Sequence, residues 1–129
     1  MRWLVALVLV PLAIGGCRSS RIATCETISV ACDTSALRPS CATITPADSS
    51  VYLPAPRALV GLVPRAEVER LLNEDLFYRA AFESRALPSD SVWVYEGGFV
   101  VGGLRMGDDG LVALRGCTSV ALYPMIMYN

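Results

Sequence analysis

Ser91-Val92-Trp93-Val94-Tyr95-Glu96-Gly97-Gly98 is the stretch on which the fold turns. Aliphatic and aromatic side chains alternate through it and two glycines come next, which predicts a strand closed by a tight hairpin at Gly97-Gly98. Phe99 to Met106 then reads as the second strand, Gly107-Asp108-Asp109-Gly110 as a second turn and Leu111 to Cys117 as the third strand. In that register Glu96 faces Phe99, and the Trp93 indole covers Gly102; alternatively Gly102-Gly103 marks a bulge. Ser119 to Tyr123 can add a fourth strand, ended by Pro124. The tail Met125-Ile126-Met127-Tyr128 is apolar for a terminus. It either packs on the sheet or forms an adhesive site for a partner.

Upstream, a helical region runs from Pro64 to Leu87 and stops at Pro88. Pro64 suits a first helical position, with Glu67 and Glu69 near the positive end of the dipole. Val68, Leu71 and Leu72 share one stripe, whereas Leu76, Phe77, Ala80, Ala81 and Leu87 centre on another. The phase changes at Asn73-Glu74-Asp75, and Asn73 is a good N-cap, so two short helices or one sharp kink are expected. A continuous helix would instead align Asp75, Arg79 and Glu83 as an ion-pair ladder.

Arg18 to Ser50 is rich in Ser, Thr and Ala, and the prolines Pro46, Pro54, Pro56 and Pro64 punctuate the chain up to the helical region. This reads as an extended arm lifting the domain off a surface. Thr24 to Ala31 alternates weakly, as a short edge strand would. Val51-Tyr52-Leu53 and Leu59 to Val63 are apolar enough to dock on the domain.

At the other end, Met1-Arg2 precedes an apolar run from Trp3 to Ile14, then Gly15, Gly16 and Cys17. One positive charge, an apolar segment and small residues have the anatomy of a secretory signal. Leu12-Ala13-Ile14-Gly15-Gly16-Cys17 resembles the lipobox of bacterial lipoprotein precursors. That resemblance implies cleavage before Cys17 and a diacylglycerol thioether on its sulfur, usually with an amide-linked acyl chain. Two or three acyl chains would anchor the protein firmly. The run is shorter than the ~20 residues of a spanning helix. Arg18 is not the aspartate associated with inner-membrane retention in many enteric lipoproteins, so the resemblance implies the outer membrane in a Gram-negative cell.

Removing Met1 to Gly16 from 129 residues leaves 113, enough for one small domain. Charge is close to balanced, at 11 basic and 12 acidic residues, so no basic face points to nucleic acid. Every basic residue is arginine, and histidine is absent. This excludes Ser-His and Cys-His nucleophile pairs, imidazole metal ligands, Schiff bases and Ser-Lys dyads.

With Cys17 given to lipid, Cys25, Cys32, Cys41 and Cys117 remain, an even set in an exported chain. Two disulfides are expected. Of three connectivities, Cys25–Cys32 with Cys41–Cys117 is preferred. A four-thiolate zinc site fits poorly, because six, eight and seventy-five intervening residues do not make paired knuckles.

Other constellations have plainer readings. Asp108-Asp109 lacks the spaced oxygen ligands of an EF-hand and reads as a turn. Gly97, Gly98, Gly102 and Gly103 follow no strand-to-helix transition and make no phosphate loop. Glu96 with Trp93 and Tyr95 could imitate a sugar platform, but cross-strand packing explains those aromatics. Nothing places two of Glu74, Asp75 and Glu83 across a cleft as an acid/base pair.

The expected fold is α+β, with one or two short helices on a three- to four-stranded antiparallel meander after an extended, disulfide-stapled arm. Residues 1–16 are the signal, 17–60 the arm and 61–129 the domain, with Val68, Leu72, Phe77, Val92, Val94, Val101 and Leu114 as core candidates. Neither a cofactor nor a metal is expected. The functional expectation is a non-catalytic envelope lipoprotein that binds or helps assemble a protein partner. Two alternatives are a phage- or mobile-element lipoprotein acting in lysis or exclusion, and a small hydrolase or hydrolase inhibitor.

Overall fold

Strand β3, Ser91–Glu96, is buried through its four middle residues, and on both faces. The computed structural model in which this is seen describes residues 20–48, 51 and 58–128, with only the backbone of 20–23, 99, 100, 105 and 128. Val92 and Val94 meet Leu111 and Ala113 on one face; Trp93 and Tyr95 meet Val112 and Leu114 on the other. A strand with four successive apolar residues needs cover on two sides, and this chain supplies it. Helices α1 (Ser20–Thr27), α2 (Arg65–Glu74) and α3 (Leu76–Glu83) lie on the first face. The segment around Ala36, Cys41 and Ile44 covers the second.

The sheet runs in the order β1 (Thr45–Pro46), β6 (Thr118–Tyr128), β5 (Leu104–Arg115), β3, β2 (Leu59–Leu62). Strand β4 (Phe99–Val101) lies off this path and pairs with the start of β5. β1 runs parallel to β6 and the other pairs are antiparallel, so the sheet is mixed and not a purely antiparallel meander.

Its register corrects the hairpin reading. β3 pairs with β5, not with Phe99 onward, and Trp93 sits opposite Val112 in place of Gly102. The tight turn is Gly102-Gly103, with φ of +57° and +80°. Two consecutive positive φ values match the twist of a two-residue hairpin and suit glycine. Gly107 to Gly110 is strand, because the Asp108 and Asp109 carboxylates find partners in Tyr95 and in the Gly97 and Gly98 N–H groups. Pro124 does not end β6; it sits opposite Gly110 where the register slips, and at such an irregularity a missing N–H costs least.

Thr24 to Ala31 is not an edge strand. Thr24 and Cys25 of α1, and Ile28 just after it, are buried while Glu26 and Thr27 face out. Ser29 comes after them with φ +56°; its N–H bonds Glu26 O at 3.1 Å and the Val30 N–H bonds Cys25 O at 2.9 Å. That pair of bonds is a Schellman ending. The supposed arm thus carries a helix, and with Ile28, Val30, Ile44, Val51 and Leu59 it supplies core.

The helical region divides as expected, but Asp75 is the cap. Its carboxylate accepts from the Phe77 and Tyr78 N–H groups at 3.1 and 3.2 Å. The new helix direction turns Phe77 outward, 79% exposed, so it is not core. Val101, 56% exposed near the hairpin tip, is not core either. Val92, Val94, Leu72 and Leu114 are buried, and Val68 packs half-buried against the helix-side core.

Candidate functional site

Pro64 precedes α2 and Pro88 follows α3, and a gap opens between the start of α2 and the exit of α3. Leu62, Val63 and Pro64 lead into α2; Ala86, Leu87 and Pro88 lead out of α3 toward β3. Together with Val68, Leu72, Phe82 and Val92 they line a cleft of about 510 Å³. That is an ordinary size for a ligand or side-chain pocket.

Charge is confined to the rim, at Arg65, Glu69, Glu83 and Asp90. Arg79 Nε lies 3.1 Å from Glu83 and its Nη2 lies 3.8 Å from Glu69, so this arginine ties α2 to α3; it also donates to the Asn73 side chain. Of the ladder considered from the sequence, only Arg79–Glu83 forms an ion pair, while Asp75 caps its helix. The far lip is set by Asp90, whose nearly buried carboxylate accepts from Arg115 at 3.0 and 2.9 Å and from the Leu87 N–H at 2.7 Å. The Arg115 guanidinium holds this carboxyl below the ordinary aspartate range, opposing the effect of burial.

The floor is apolar and suits an aliphatic or aromatic group, while each rim carboxylate already faces an arginine, Glu69 and Glu83 facing Arg79 and Asp90 facing Arg115, so the rim carries no unbalanced negative charge.

A second polar cluster is structural. Asp109, 2% exposed, accepts from the N–H groups of Gly97 and Gly98 at 3.1 and 3.3 Å. The Tyr95 hydroxyl donates to Asp108 at 3.0 Å. Burial, then the Asp108 charge, pushes the Tyr95 phenol well above its usual range. Glu96 accepts from the Thr24 hydroxyl at 3.3 Å. Trp93 and Tyr95 are buried, so neither offers a face to a sugar.

Cys17 lies outside the described residues. Cys25 is bonded to Cys32 and Cys41 to Cys117, the preferred pairing. Met125 and Ile126 pack half-buried on the core, and Met127 is 73% exposed. Tyr128 is described by its backbone alone, at the end of β6. Among the described residues no three His, Cys, Asp or Glu side chains are placed to hold a metal, and no helix is long and apolar enough to cross a membrane.

No protein-family model matches the chain, and comparison with curated proteins and with solved structures likewise finds no match.

Proposed function

We propose that the chain is a bacterial envelope lipoprotein, anchored through acyl groups on Cys17, whose domain is a non-catalytic module that binds a protein partner. In a Gram-negative cell its place is the outer membrane. The observation that carries the reading is Ile14-Gly15-Gly16-Cys17 behind an apolar run, on a chain whose other four cysteines are paired in two disulfides. Such pairing fits the oxidising side of a membrane. The binding half rests on the apolar cleft between α2, α3 and the start of β3, and the preferred guest is an apolar side chain.

Two measurements test it. Labelled palmitate should enter the wild-type protein and not Cys17→Ala. A photo-crosslinking residue at Val68 should capture a partner in native membranes, and Ala86→Trp, which fills the cleft, should abolish the adduct. Capture no greater than from a crosslinker at the exposed Leu37 removes the cleft from the argument.

A further inference from the structure

Beyond Glu96 the sheet extends into a small ribbon with unusual surface chemistry. β4 and the start of β5 pair through Phe99↔Met106, Val100↔Arg105 and Val101↔Leu104, outside the main strand order. Val101 and Leu104 (64% exposed) face solvent, and so does Met106. Met127, on β6 opposite Asp108, adds a fourth exposed apolar side chain at the same end. From Gly97 to Gly107 the sequence holds one arginine and no acidic residue. The ribbon leaves the sheet at a fixed root: Gly97 and Gly107 approach too closely for a side chain on either, and Asp109 holds the Gly97 and Gly98 N–H groups.

The position of α1 gives this patch a meaning. Its fifth residue, Thr24, bonds Glu96 at the ribbon's root. Cys25 is bonded to Cys32, whose sulfur lies 2.6 Å from where a Cβ on Gly61 would sit, opposite Val94. Ser29 O then accepts from Arg70 of α2. Helix α1 therefore runs away from the ribbon, and its first residue, Ser20, lies at the ribbon's end of the molecule. Cys17 is three residues before Ser20, a reach of about 11 Å at most, and four helical residues add about 6 Å to Thr24. An acyl-bearing Cys17 cannot be held far from the ribbon. Only Arg18 and Ser19 stand between Cys17 and α1, where the sequence reading expected an extended arm.

We infer that the β4–β5 ribbon and Met127 form a second membrane contact, seated in the headgroup region of the leaflet that takes the Cys17 acyl chains. The inference rests on the lipoprotein reading above. Three paired positions span about 10 Å of strand, enough to pass a headgroup layer of roughly 5–8 Å. Within 17–23 and 97–107 the charged residues are Arg18, Arg21 and Arg105, whose sign suits anionic headgroups, and the flanking Glu96 and Asp108 accept from Thr24 and Tyr95. The cleft, at the start of β3, is then at the end of the sheet away from the bilayer, open to a partner.

The test uses acylated protein matured from the full precursor and reconstituted in phosphatidylethanolamine/phosphatidylglycerol vesicles, with and without dibrominated acyl chains. Leu104→Trp and Met127→Trp report on the ribbon end; Leu87→Trp, beside the cleft, reports on the far end. Ribbon-end emission should shift to the blue and lose roughly half its intensity to the bromolipid, as expected of an apolar face at the acyl boundary, while Leu87→Trp emission stays unchanged. Intact mass on the same samples separates the failures. An acylated protein whose Leu104→Trp and Met127→Trp emission is no more quenched than that of Leu87→Trp overturns the ribbon contact and leaves the anchor standing. A mature mass without acyl groups overturns both.

Discussion

Cys41 is joined to Cys117 across 76 positions of sequence, tying the segment that covers the Trp93 face to the turn between β5 and β6. Cys25–Cys32 closes only seven. In the chain-entropy model the long bridge contributes about 4.5 kcal/mol and the short one about 2.4. Cys41→Ser and Cys117→Ser should therefore lower the urea midpoint more than Cys25→Ser. Equal midpoints in the three variants would count against this account of how the covering segment is held.

Ser29 occupies a left-handed position that glycine adopts freely, and its tie to Arg70 uses the backbone carbonyl, which any residue keeps. Ser29→Gly should stabilise the domain by about 1 kcal/mol. Chemical denaturation reads the change, and a loss of stability would mean the Ser29 hydroxyl has a role that the Schellman geometry does not reveal.

Asp109→Ala leaves the Gly98 N–H without its carboxylate, at a cost of about 1–3 kcal/mol, while the Gly97 N–H keeps the Asp108 carbonyl at 2.9 Å. Asp109→Asn keeps an acceptor oxygen and should recover part of the loss. Hydrogen exchange at Gly98 should accelerate in the alanine variant more than at Gly97, and before exchange in the middle of β3 does.

Acid should weaken the far lip of the cleft. Arg115 lowers the folded-state pKa of Asp90 below its usual 3.8. The carboxylate's contribution is thus fully present above that value and is lost as pH falls through the lower folded one. Asp90→Asn should be less stable than wild type at pH ~5 and show a shallower further decline in melting temperature toward pH ~2.

Much of the layout was legible because local chemistry and tertiary demand agreed. The break near Asp75 and the strand character of Val92 to Tyr95 follow from periodicity, and the even set of cysteines beyond Cys17 called for two disulfides, with the connectivity a preference among three. The features that escaped were decided by partners far along the chain. Asp108-Asp109 between glycines looks like a turn until the Tyr95 hydroxyl and the Gly97 N–H arrive from β3 and its exit. Thr45-Pro46 is too short to show any period, and it becomes a strand only because Thr45 N–H meets Cys117 O and Ala47 N–H meets Ser119 O. The cleft is a space between elements, and no single run of residues encodes it.

β6 is filled in between β1 and β5, yet both neighbours precede it in the chain. A nascent polypeptide lacking Thr118 onward can form neither the parallel pair nor the full flank of β5, and it shows that flank to whatever is nearby. Productive folding therefore waits for this late strand, which prolongs the interval in which an unpaired edge is open to pairing with another chain.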